Sequence, residues 1–140
     1  MTEGNLAEAF NARQKGTLPG NLGIDWDVVA TGEAKARFTV TQGHMAPNGF
    51  VHAASVVCLV DSACGYGCIA SLPEGASGFT TVELKTNFLA TAKVGEVVAC
   101  RAWLVHGGRS TQVWDAEAVN ETTGKTMAVF RCTQMILWPR

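Results

Sequence analysis

Residues 48–72 read NGFVHAASVVCLVDSACGYGCIASL. The segment from His52 to Ala70 predicts a helix about 28 Å long, at about 1.5 Å per residue. Apolar residues occur nearly all round it, the pattern of a helix buried in a core rather than laid on a surface. Pro73-Glu74-Gly75 ends it. Asp61 stands at its middle, the only formally charged residue between Arg37 and Glu74. A run this apolar resembles a membrane span in composition. However, an Asp at the centre of such a span costs about 2.5–3.5 kcal/mol on insertion scales, and the flanks carry no basic cluster. The expectation is a core helix in a soluble protein, with no membrane partner.

Working outward, Asn5 to Lys15 has the spacing of a short amphipathic helix, which Gly16, Pro19 and Gly20 end. Ile24, Trp26 and Val28 alternate with polar residues, as do Ala34, Ala36, Phe38 and Val40, so two strands are expected with a turn at Thr31-Gly32. After the long helix come four more strands: Phe79–Leu89, Glu96–His106, Ser110–Asn120 and Thr126–Trp138. In the first of these, strict alternation puts Thr80, Val82, Leu84, Thr86 and Phe88 on one face and Thr81, Glu83, Lys85 and Asn87 on the other. Gly107-Gly108 reads as a two-residue hairpin. One apolar helix among six strands predicts an α+β fold, an antiparallel sheet wrapped around the helix. Residues 1–140 read as one domain, with 1–20 an N-terminal helix and loop.

The 140 residues include eleven Lys and Arg against twelve Asp and Glu, and charged residues make up only 16%, where about 25% is usual. There is no basic excess to hold nucleic acid. Cys100, Ala102, Trp103, Leu104, Trp114, Ala116, Ala118, Phe130, Ile136 and Trp138 exceed what one helix covers, which predicts a homodimer or homotetramer. The five cysteines lack metal-ligand spacing and read as small buried hydrophobes in a reducing cytoplasm. The N-terminal Met1-Thr2-Glu3-Gly4-Asn5 has neither a basic region nor an apolar run, so no secretory signal is expected. No metal is expected.

Two features carry chemistry. Asp61 has small helical neighbours, Ala54, Cys58, Cys64, Gly65 and Cys68 among them, so another group can approach closely. No Lys or Arg on its helix can pair with it. Burial raises such a carboxyl's pKa, a pattern common at functional sites. The second feature is the turn Asn48-Gly49-Phe50-Val51-His52-Ala53-Ala54. The first N–H groups of a helix lack internal partners and carry partial positive charge, which can stabilise an oxyanion. His52 lies about 180° round the helix from Asp61, at about 100° per residue, which rules against a direct relay between them.

The run Gly49-x-x-His52-Ala53-Ala54, with Asp61 nine residues after the His, resembles the PaaI-type hotdog-fold acyl-CoA thioesterases. The segments 81–89, 93–96, 108–110 and 120–125 resemble the strands and turns that follow the helix in that family. The resemblance implies a hotdog fold and hydrolysis of an acyl-CoA thioester, with coenzyme A as part of the substrate and no separate cofactor. It implies Asp61 as general base or nucleophile, the Ala53 N–H polarising the carbonyl, and Asn48 and His52 shaping the site. Thr81 would help place water from the opposite subunit. Substrate contacts are expected from Gly49, Phe50, Ala54 and Gly65, and contacts to the coenzyme A phosphates from Lys85 and Arg109. Ala53-Ala54 replaces the family's Gly-Gly, which bears on substrate scope and rate. Two alternatives stand beside hydrolysis: a non-catalytic acyl-CoA binding or regulatory protein, and a hotdog hydratase, whose Asp-x-Asn-Pro-x-His loop is absent here.

Overall fold

The chain runs through two short helices, α1 (Ala7–Arg13) and α2 (Leu18–Asn21), and two strands, β1 (Asp25–Ala30) and β2 (Glu33–Thr39). A 3-10 turn at Gln42–His44 leads to the helix α3 (Ala53–Ala70). Four strands follow: β3 (Gly78–Phe88), β4 (Val97–Gly107), β5 (Thr111–Asn120) and β6 (Lys125–Leu137). The computed structural model describes residues 4–140; Met1–Glu3, which carry part of the expectation of no secretory signal, lie outside the described residues. The six strands form one sheet in the order β1-β2-β4-β5-β6-β3, with every neighbouring pair antiparallel. α3 packs against all six. By length and composition it could cross a bilayer, yet more than half of it is buried within the fold, so it is the expected core helix.

Small residues let the sheet close on the helix. Ala36, Cys100 and Ala118 are register partners across β2, β4 and β5, as are Ala102 and Ala116 across β4 and β5, and all five are buried. Trp114, with no exposed surface, fills the remaining space: a Cβ added at Gly67 would stand 2.6 Å from its ring. Phe79 similarly lies over Gly65, where a Cβ would meet its ring at 3.1 Å.

Four sequence readings change. Cys100, Ala102, Trp114, Ala116, Ala118, Phe130 and Ile136 are all buried within one chain, because the sheet curls round α3. They therefore do not argue for a second copy. The exposed apolar residues lie elsewhere, with Val82, Leu84 and Phe88 on β3 and Phe50 and Leu89 near it. Second, the β4–β5 hairpin turns at Arg109-Ser110, closed by a Gly108 N–H donating to the Thr111 carbonyl at 2.9 Å; Gly107 and Gly108 are the end of the ladder. Third, the alternation along β3 breaks at a bulge between Thr81 and Glu83, so Thr81 and Lys85 lie on opposite faces. Near the N terminus, Pro19 does not simply end α1. It opens α2, at a position where its missing N–H costs nothing.

The two sheet edges differ. Along β1, the Asn5 side chain donates to the Asp27 carbonyl and accepts from the Val29 N–H, both at 3.1 Å. Asn11 does the same with the carbonyl and N–H of Trp26, at 3.1 and 2.8 Å. The outer edge of β3, 11 residues long, pairs with no strand among the described residues.

Gly67→Ala is expected to destabilise the chain. Overpacking a core costs about 1–3 kcal/mol, and the helix propensity of Ala offsets about 1 kcal/mol of this. Urea unfolding should show a lower midpoint with an unchanged slope, a net loss of up to about 2 kcal/mol.

Candidate active site

The loop before α3 is tied down by its own backbone. The Ala46 N–H donates to the Phe50 carbonyl at 2.7 Å, Met45 and Val51 form a β-bridge, and the Val51 N–H donates to the Thr91 hydroxyl at 3.0 Å. Gly49 takes a φ of +87°, a conformation that favours glycine. The Asn48 side chain accepts from the Phe50 N–H at 3.2 Å. His52 is the N-cap of α3: its Nδ1 accepts from the Ala54 N–H at 2.9 Å, and its carbonyl accepts from the Ser55 N–H at 2.9 Å. The Ala53 N–H, between them, is engaged by neither. It belongs to the first helical turn, where partial positive charge collects, and Ala53 lines an apolar cleft of about 410 Å³ together with Phe50, Val51, Val56, Phe88, Ala90, Thr91 and Met127. No non-glycine residue described here has positive φ, so Ala53 and Ala54 meet no backbone cost in replacing glycines.

Asp61 sits on the same helix, half-buried. Its Oδ1 is shielded from solvent and has no hydrogen-bond partner, and burial pushes its carboxyl above the ordinary carboxylate range. Cys58, one turn earlier, faces the same surroundings. Burial raises its thiol, the Ser62 hydroxyl at 3.9 Å opposes this, and the Asp61 charge adds to it. All five cysteines are free and only Cys58 is not fully buried; burial holds Cys68 and Cys100 up at about 12, so they act as small core residues.

Eight residues of helix, about 12 Å at about 1.5 Å each, separate Asp61 from Ala53. A carbonyl bonded to the Ala53 N–H is out of reach of Asp61 in the same chain. The structure thus gathers Asn48, Gly49, Phe50, His52, Ala53 and Ala54 at one end of α3 and leaves Asp61 and Gly65 along its flank. Thr81 lies on the inner sheet face, its hydroxyl donating to Gln134 Oε1 at 2.6 Å. Lys85 lies on the outer face, beside Asp115 and Arg131. Arg109 is at the β4–β5 turn, stacked on the Trp138 ring at 4.2 Å, near the loop that follows α3. Sequence reasoning missed Thr91, Ser55 and Gln134, whose partners are 40, 11 and 53 residues away; no local pattern marks them. Among the described residues no group of three or more His, Cys, Asp or Glu could hold a metal ion.

Residues 48–127, spanning the turn, α3, β3 to β5 and the start of β6, match the family model of the thioesterase superfamily. The chain is 33% identical over 116 residues to the 1,4-dihydroxy-2-naphthoyl-CoA hydrolase of Listeria monocytogenes, covering 83% of this chain and 92% of that one. It is 30% identical over 110 residues to the acyl-coenzyme A thioesterase PaaI of Escherichia coli, covering 79% and 75%. The solved structure of the E. coli PaaI protein superposes with a TM-score of 0.82 at 26% identity, covering 92% of this chain and 90% of that one. The chain belongs to the thioesterase superfamily and has the hotdog fold, and its enzyme class is thioester hydrolase. The resemblance carried by Gly49, His52 and Asp61 is borne out.

In a carboxyl-¹³C pH titration by NMR, Asp61 is expected to have a midpoint above the ordinary 3.8. A midpoint at or below that value would show that its carboxylate is solvated or paired.

Proposed function

We propose that the chain hydrolyses an acyl-CoA thioester to the free acid and coenzyme A at a site shared by two copies, with Asp61 of one copy and the Ala53 N–H of the other acting on the same carbonyl. One observation carries this reading: a shielded carboxylate oxygen with no partner in its own chain, too far along α3 to meet the Ala53 N–H beside it. An unpaired buried acceptor of this kind costs about 1–3 kcal/mol or more, which a functional role explains.

The chemistry follows from the two halves. The Ala53 N–H and the positive end of α3 stabilise negative charge developing on the carbonyl oxygen. Asp61 removes a proton from the attacking water, or attacks the carbonyl itself to give an anhydride that water then cleaves. Either way the sulfur of coenzyme A leaves. Desolvation raises the basicity of Asp61 and suits the first role. Thr81 supports water placement, and the apolar cleft beside Ala53 suits an uncharged acyl group. The coenzyme A class rests on the Listeria and E. coli relatives, a 1,4-dihydroxy-2-naphthoyl-CoA hydrolase and an acyl-coenzyme A thioesterase.

The free edge of β3, with exposed Val82, Leu84 and Phe88, supplies the surface for a second copy. A two-fold axis pairing β3 with its copy keeps both α3 helices on one side of the joined sheet and runs them antiparallel. The N terminus of each then comes towards the middle of the other. We assign the reaction to the cytoplasm, with residues 1–140 acting as one hotdog domain.

The purified protein is expected to release free thiol from members of a panel of short, medium and aromatic acyl-CoAs. Asp61→Asn should lower the rate at least about a hundredfold, the scale of lost acid–base catalysis. Tight binding without turnover on any of the panel would favour the binding-protein reading. Sedimentation should give a dimer or tetramer; a stable monomer would remove the shared site.

A further inference from the structure

We infer that His44 is a positioning residue for this reaction: its imidazole, held in the Nε2–H tautomer, fixes the start of α3 and so the direction of the Ala53 N–H. The inference rests on the proposed use of that N–H.

His44 is buried, 4% exposed, and its ring stacks on Phe38 with centroids 4.3 Å apart and planes at 13°. The Thr41 backbone N–H points at Nδ1 from 2.9 Å. A backbone N–H can only donate, so Nδ1 offers its lone pair and the ring proton sits on Nε2. That Nε2–H donates to the Leu22 carbonyl at 2.6 Å. The ring is therefore held by the backbone of two separate segments, the end of α2 and the turn after β2.

The main chain of His44 is fixed in consequence, and its carbonyl serves α3. It accepts from the His52 N–H at 2.8 Å and from the Ser55 hydroxyl at 2.9 Å. These donors stand on either side of Ala53. Rotating the His44 peptide would tilt the first turn of α3 and swing the Ala53 N–H off the carbonyl oxygen. An apolar side chain could fill the same space on Phe38, but it could supply neither directional bond. Since the ring itself is out of reach of a substrate, its effect should appear in the transition state through the N–H it aims, with little change in ground-state binding.

The test has two arms on the intact protein. In ¹⁵N-correlated NMR of the wild type, His44 should give a proton-bearing Nε2 and a lone-pair Nδ1; the opposite tautomer overturns the inference. In the second arm, His44→Phe keeps the stacking, His44→Asn keeps an acceptor near Nδ1, and His44→Gln keeps a donor near Nε2. For His44→Phe, kcat should fall at least about tenfold with KM within about twofold, the scale of a misaimed group. Asn and Gln should recover part of the loss. Folded variants with unchanged kcat, or with the loss in KM alone, overturn the inference while the Asp61→Asn result still upholds hydrolysis. If the wild type hydrolyses no acyl-CoA, the proposed function falls and this inference falls with it.

Discussion

An 18-residue helix whose one formally charged residue is Asp61 cannot stand in water by itself; its enclosure by the sheet is the condition for everything else. That enclosure depends on side-chain size. Alanines at register partners in β4 and β5 and a glycine facing Trp114 bring the strands close enough to wrap the helix. Helix propensity is sacrificed at Gly65 and Gly67 for that approach, a trade in which tertiary packing outweighs local preference.

In the proposed reaction, enclosure also divides the chemistry. A rigid helix holds its N-terminal donors and Asp61 at a fixed separation, and no change of rotamer closes a gap of about 12 Å. Each element is free to be good at one task. The N terminus is built from backbone groups, held by a cap and a tight loop, and the carboxylate sits where desolvation lifts its basicity. Neither compromises the other.

Much of this was legible in the sequence. Apolar residues all round 52–70 marked the core helix, and the structure moves its start by one residue, making His52 the cap. Period-two alternation located the strands. What it could not locate was the inward face where both faces are apolar, as in β4, because the curl of a sheet is a long-range property. The bulge after Thr81 has no local signature either, and it reverses the side on which Lys85 falls. Asp61 stood out because a charge in an apolar run is anomalous by itself. His44 did not, because its meaning lies in Leu22, Thr41 and Phe38, which only the fold assembles around it.

The asparagines along β1 have a further consequence. By occupying the N–H and carbonyl groups of that strand, Asn5 and Asn11 act as terminators, so the sheet can be lengthened at β3 alone. With a second copy joined there, as proposed, both remaining rims would be sealed ones. Strand-by-strand growth would then have nowhere to continue, and two side-chain amides at the β1 rim would guard a chain this rich in apolar strands against open-ended edge-to-edge growth.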